Sequence, residues 1–113
     1  MTNEEWAFQH ELSCAQRYGA IVRAAGIDPD ALPNSMAIFE LAGCITNDPE
    51  VQRLIWKKKE PIWKARGNAG GSLEESQAWQ VDALKEMNPG SRRAMAERAV
   101  QKFNERAEPI LTL

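Results

Sequence analysis

Hydrophobic residues recur at three- and four-residue intervals along most of this chain, which is the spacing of amphipathic helices. The first apolar stripe consists of Phe8, Leu12, Ala15, Val22 and Ala25. Thr2 and Glu5 have the spacing of a capping box, and Gly26 is suited to end a helix. We therefore predict a first helix over about residues 3–25, with one apolar face that must pack on something.

Proline residues and the caps that precede them mark the next elements. Asp28 before Pro29 predicts a brief helical turn. Asn34 or Ser35 is expected to cap a second helix that runs to about Ile45. Because this second helix is apolar nearly all round, we expect it at the centre of the fold.

The second half of the chain contains the signals of three more helices. The tripeptide Asp-Pro-Glu at 48–50 predicts a third helix, which Pro61 is expected to break or to bend. Ser72 and Glu75 form another capping box and predict a fourth helix. Ser91 is expected to cap a fifth helix, whose apolar stripe is Met95, Ala99, Val100, Phe103 and Ala107.

Two breaks rich in glycine separate these helices. Residues 67–71, Gly-Asn-Ala-Gly-Gly, predict a flexible joint, and Asn-Pro-Gly at 88–90 is expected to end the fourth helix. No segment shows the period-two alternation of a half-buried strand. We therefore predict an all-α protein, a small bundle of four to five helices that forms one domain over residues 1–113.

Composition agrees with a single folded domain outside the membrane. Of the 113 residues, 43% are hydrophobic and 27% are charged, which is ordinary for a globular protein. No run of about 18 apolar residues occurs, and the N-terminus is acidic where a secretory signal would be basic. We expect a cytoplasmic protein that does not associate with membranes and whose two cysteines are reduced.

Charge is distributed unevenly along the chain although the formal net charge is only −2. Residues 1–50 contain eight acidic and two basic side chains, whereas residues 51–113 contain eight acidic and twelve basic ones. This asymmetry predicts either attraction to an anionic partner or a homodimer in which acidic and basic halves meet. The alternative is that both halves are simply solvated surfaces.

Catalytic and metal-binding chemistry find little support in the sequence. His10 is the only histidine, and no nucleophile, metalloprotease or nucleotide-loop motif is present. His10 and Cys14 share one helical face, and Cys44 would be a third zinc ligand, but no fourth ligand is evident. We therefore expect no enzymatic activity, no cofactor and no metal.

The most distinctive segment is residues 56–66, in which five cations and two tryptophans surround a proline. Cations beside large aromatic rings can bind carboxylates or phosphates while the rings bury apolar area. The candidate partner-binding residues are Trp56, Lys57, Lys58, Lys59, Trp63, Lys64 and Arg66. They favour a non-enzymatic protein-binding module, an adaptor or inhibitor of bacterial or phage type, that contacts an acidic protein surface or, less favoured, a nucleic acid.

An alternative function uses the last two helices. Their spacing imitates a helix-turn-helix, with Ser91, Arg92 and Arg93 at the start of the second helix, where contacts to DNA fall. The sequence pI of about 5.5 is far below that of a dedicated nucleic-acid-binding domain. We therefore rank the helix-turn-helix-like regulator second.

Overall fold

Helices make up nearly all of the computed structural model, which describes residues 2–66 and 73–106 except for the side chains of Glu11, Cys14, Arg66 and residues 73–75. The described elements are α1 (Asn3–Ala24), a 3₁₀ turn (Pro29–Ala31), α2 (Ser35–Thr46), α3 (Pro49–Arg66), α4 (Leu73–Glu86) and α5 (Pro89–Arg106). The all-α prediction is confirmed. The predicted glycine joint at 67–71, the Ser72–Glu75 capping box and Ala107 lie outside the described residues and side chains.

The predicted caps begin the first two helices. The Thr2 hydroxyl accepts a hydrogen bond of 3.1 Å from the backbone N–H of Glu5, and the Asn34 side chain accepts one of 2.8 Å from that of Ala37. Each bond satisfies one of the amides that a helix start leaves without a partner. Gly26 has φ = 88°, the left-handed conformation that glycine adopts without steric cost.

The fifth helix begins earlier than predicted. The Asn88 side chain accepts a 2.8 Å hydrogen bond from the backbone N–H of Ser91, and Pro89 is the first helical residue. Asparagine is a strong cap, and the missing N–H of proline carries no penalty in a first turn. The prediction that Ser91 caps α5 is therefore wrong, because Asn88 takes that role.

Pro61 does not break the third helix. Helix α3 runs without interruption over Pro49–Arg66 and contains Pro61 in its interior. The proline removes only the amide that would bond the carbonyl of Lys57, while the bonds on either side of this gap hold the helix together. Pro61 was expected to break or to bend this helix, and the continuous helix excludes a break.

The core of the described residues is one apolar cluster to which all five helices contribute, together with Ile27 and Leu32 on either side of the 3₁₀ turn. Its most deeply buried members are Ile21, Val22, Leu41, Ile45, Val51, Leu84, Met95 and Phe103. Helix α2 packs against α1 and α5, α1 also packs against α4, and α3 packs against α4. These contacts confirm the central position predicted for α2. Each fully buried aliphatic or aromatic side chain stabilises the fold by about 1.5–3 kcal/mol.

The apolar stripe of α1 is only half covered. Its C-terminal members Val22 and Ala25 are buried, but Phe8 and Leu12 are 66% and 47% exposed. Every described side chain of residues 2–13 is exposed. Within the described part of the chain, α2 and α4 cover only the second half of this 22-residue helix, so the first half of the stripe has no cover there.

Candidate partner-binding site

Trp56 and Trp63 form a pair on the outer side of α3. Their ring centroids are 6.2 Å apart with an angle of 46° between the ring planes, and the residues are 49% and 43% exposed. Seven residues are nearly two helical turns, so an unbroken helix places both side chains on one side. The fully buried Val51 lies about 140° away around the helix. The pair therefore faces away from the core.

Exposed cations border this pair on both edges. At about 100° of rotation per residue, Lys59 lies on one edge of the Trp56–Trp63 stripe, and Lys57 and Lys64 lie on the other. All three lysines are exposed. Arg53, also exposed, lies on the same edge as Lys57. We call the set the basic tryptophan face; it consists of Arg53, Trp56, Lys57, Lys59, Trp63 and Lys64.

Lys58 does not belong to this face. Its Nζ lies 2.6 Å from Oε1 of Glu86, an ion pair that joins α3 to α4, and its side chain is only 25% exposed. Lys64 also has an acidic neighbour, with its Nζ 3.0 Å from Oε1 of Glu60, but it remains 67% exposed. An exposed pair of this kind contributes about 0.3–0.5 kcal/mol, so Lys64 can exchange it for a partner's carboxylate.

The sequence prediction therefore separates into three groups. Five of its residues share the basic tryptophan face, Lys58 supports the packing of α3, and Arg66 ends α3 with its side chain outside the described set. Arg53 was missed because it precedes the dense basic segment. Its position four residues before Lys57 is the signal that places both on one side of a helix.

The residues of the helix-turn-helix alternative have three different surroundings. The Arg92 guanidinium donates hydrogen bonds to the carbonyls of Leu84, Lys85 and Met87, at 3.0, 3.2 and 2.9 Å. It thus satisfies the last carbonyls of α4, a position in which a cation also complements the helix dipole. The backbone N–H of Ser91 is bonded to Asn88, whereas the exposed Arg93 lies 3.1 Å from Glu97.

Similarity to known proteins gives no guide to the partner. No family model, curated protein or solved structure matches the chain. Among the described residues, the basic tryptophan face combines exposed aromatic area with mainly positive charge.

The geometry of the described residues offers neither a metal centre nor a membrane span. No three histidine, cysteine or acidic side chains among them are grouped to hold a metal ion. No helix in the described part of the chain has the length and apolarity needed to cross a bilayer. Burial raises the pKa of the Cys44 thiol, which favours the protonated form that neither binds metal nor attacks electrophiles.

A shallow cleft lies where α1, α2 and α4 meet. It has a volume of about 220 Å³ and is lined mainly by Tyr18, Ile21, Phe39, Ala42 and Gln80. The Tyr18 and Phe39 rings meet edge to face with centroids 4.9 Å apart, so aromatic packing closes one side. Pockets for organic ligands usually enclose about 300–1,000 Å³. The volume of this cleft is below that range.

Proposed function

We propose that this protein is a non-enzymatic binding module, an adaptor or inhibitor, that presents the basic tryptophan face to an acidic protein surface. The single observation that supports this proposal is the pair of half-exposed rings of Trp56 and Trp63, bordered by cations on both edges. Tryptophan is enriched among residues that dominate binding energy, and surrounding charges set orientation and association rate. The matching partner has an apolar centre between carboxylates.

The balance of charge favours protein over nucleic acid as the partner. The chain has a net charge of −2, and Glu60, which is paired with Lys64, lies between the tryptophans and Lys57. Proteins that bind nucleic acid usually gain most of their affinity from many phosphate contacts. Arg92, one of the cations of the DNA-binding alternative, is already bonded to two carbonyls of α4 and to that of Met87, which follows α4.

Two dye-labelled probes test the proposal by fluorescence anisotropy. The first is an 18-residue amphipathic helical peptide with glutamates on both sides of a phenylalanine and leucine stripe, and the second is a 20-base-pair DNA duplex. We expect the parent to bind the peptide, with less than a tenfold loss between 50 and 500 mM salt. Binding through several phosphates would weaken by orders of magnitude over that range.

The decisive variant is Lys57→Glu, Lys59→Glu and Lys64→Glu together, which should weaken peptide binding at least tenfold. The matched control reverses three exposed charges elsewhere: Lys85→Glu, Arg93→Glu and Lys102→Glu. The control should bind the peptide like the parent. If the first variant keeps parental affinity, the proposed site is wrong. If the parent prefers DNA and the control loses that binding, the regulator function takes first place.

A further inference from the structure

The exposed half of α1 has an apolar stripe with acidic edges. Phe8 and Leu12 are four residues apart, share one side of the helix and are about half to two-thirds exposed. At about 100° per residue, Glu4 lies on one edge of this stripe and Glu5 on the other. Both glutamates are exposed. We call these four residues the acidic phenylalanine face.

This face is complementary to the basic tryptophan face in sign and in size. One has carboxylates on both edges of an apolar centre, and the other has cations on both edges of an aromatic centre. At 1.5 Å per residue, Glu4 to Leu12 spans about 12 Å along α1, and Trp56 to Trp63 spans about 10 Å along α3. Two such helices can align their apolar centres and both pairs of charged edges at once.

We propose that the acidic phenylalanine face of one copy docks on the basic tryptophan face of a second copy. The inference rests on the proposed function, because it names a partner for the same site on α3. Each copy has both faces, so a two-fold axis can repeat the contact and close a dimer. An α1-to-α1 pairing is disfavoured, since it would bring Glu4 and Glu5 of both copies together.

The available area indicates a weak dimer. Trp56 and Trp63 are about half exposed and Phe8 about two-thirds exposed. One contact therefore offers roughly 300 Å² of ring surface at 150–250 Å² for a whole ring. Two reciprocal contacts, together with Leu12 and the stems of the charged side chains, approach the ~1,000 Å² of a specific interface. We expect dissociation in the range of tens to hundreds of micromolar.

Sedimentation equilibrium of the full chain, from about 10 µM to 1 mM, tests the proposal. The parent should show a mass that rises from 12.7 kDa toward twice that value. Glu4→Lys with Glu5→Lys should remain monomeric, as should Lys57→Glu with Lys59→Glu and Lys64→Glu. A mixture of these two variants should form a dimer again. The basic α1 face of one variant meets the acidic α3 face of the other, and the two unchanged faces also meet.

Control variants separate docking from folding. Phe8→Ala with Leu12→Ala keeps α1 helical, since alanine is the best helix former, and should abolish dimerisation. Asp82→Lys with Glu105→Lys changes the same number of exposed charges off the face and should dimerise like the parent. A parent that is monomeric at 1 mM, an alanine variant that still dimerises, or a mixture that stays monomeric would each overturn the inference.

The inference and the proposed function can fail separately. The Glu4→Lys, Glu5→Lys variant keeps an intact basic tryptophan face and should bind the labelled acidic peptide with parental affinity. If it does so while the parent stays monomeric, only the dimer is disproved. If the Lys57→Glu, Lys59→Glu, Lys64→Glu variant binds the peptide like the parent, the proposed function is disproved.

Discussion

Arg98 and Asp48 form a two-point ion pair that joins α5 to the start of α3. Nε and Nη2 of Arg98 donate hydrogen bonds of 2.8 and 3.0 Å to the two carboxylate oxygens of Asp48. Asp48 also accepts a bond from the backbone N–H of Glu50 and so caps α3. The Asp48 side chain is 3% exposed, whereas that of Arg98 is 45% exposed. The two partners are therefore buried very unequally.

This inequality predicts that removing the arginine costs more than neutralising the aspartate. Arg98→Met leaves a buried carboxylate without its cation and should lower the free energy of unfolding by about 3 kcal/mol. Asp48→Asn keeps a cap acceptor and leaves a half-exposed guanidinium that water can solvate, so its cost should be about 1 kcal/mol. Urea denaturation of both variants checks the order, and equal costs would contradict it.

The same pair predicts how stability depends on pH. Hydrogen bonds from Arg98 hold the pKa of Asp48 below its ordinary value, in spite of the opposing effect of burial. The pair's contribution is fully present above about pH 4 and is lost as pH falls toward the depressed folded-state pKa. In Arg98→Met the hydrogen bonds from Arg98 are lost, and burial is opposed only by the backbone N–H groups of Glu50 and Val51, so the pKa of Asp48 should lie higher than in the parent. The stability difference between parent and variant should therefore shrink between pH 7 and pH 3 in urea titrations.

The cap of α5 can be tested by two alanine substitutions three residues apart. Asn88→Ala removes the acceptor for the Ser91 amide and should lower the free energy of unfolding by about 1 kcal/mol. Ser91→Ala leaves that bond intact and should change stability by less than about 0.5 kcal/mol. The reverse order in thermal or chemical denaturation would restore Ser91 as the cap.

The neighbouring arginines Arg92 and Arg93, at the corner between α4 and α5, should differ in how much they contribute to stability. Arg92→Ala removes three hydrogen bonds to the end of α4 and should cost about 2 kcal/mol. Arg93 has only an exposed ion pair with Glu97, so Arg93→Ala should stay within about 0.5 kcal/mol of the parent. A costly Arg93→Ala together with a neutral Arg92→Ala, measured by denaturation, would contradict this account.

Pro61→Ala should stabilise the protein. Proline in a helix interior is about 3 kcal/mol less favourable than alanine, and alanine restores the amide that can bond the Lys57 carbonyl. Because Pro61 is exposed, no packing is lost, and we expect a gain of about 1–3 kcal/mol in the free energy of unfolding. A loss of stability would show that the ring contributes to the fold.

Local chemistry made the helix starts predictable from sequence. The caps at Thr2, Asn34 and Asp48 act over two or three residues, so their spacing in the sequence is their spacing in space. The wrong prediction at Ser91 also concerns neighbouring residues, because Asn88, which is followed by proline, is a competing cap only three residues away. Periodicity likewise identified the apolar side of each helix.

Long-range pairing was not predictable in this way. Periodicity shows that a helix has an apolar side but not how far its neighbours extend, so it could not show that Val22 is buried while Phe8 is 66% exposed. The basic segment gave no sign that Lys58 forms an ion pair with Glu86, 28 residues away, while Lys57 and Lys59 remain exposed. The sequence therefore placed the candidate site on α3 but did not show which of its side chains share one exposed face.

The Lys58–Glu86 pair has a consequence for the rate and entropy of association. The unbroken helix keeps Lys57 and Lys59 on opposite edges of the tryptophans, and the Lys58–Glu86 pair joins that helix to α4. A preorganised surface loses little conformational freedom on binding. If the basic tryptophan face binds a partner, as we propose, its charges are therefore already in place when the two molecules first meet.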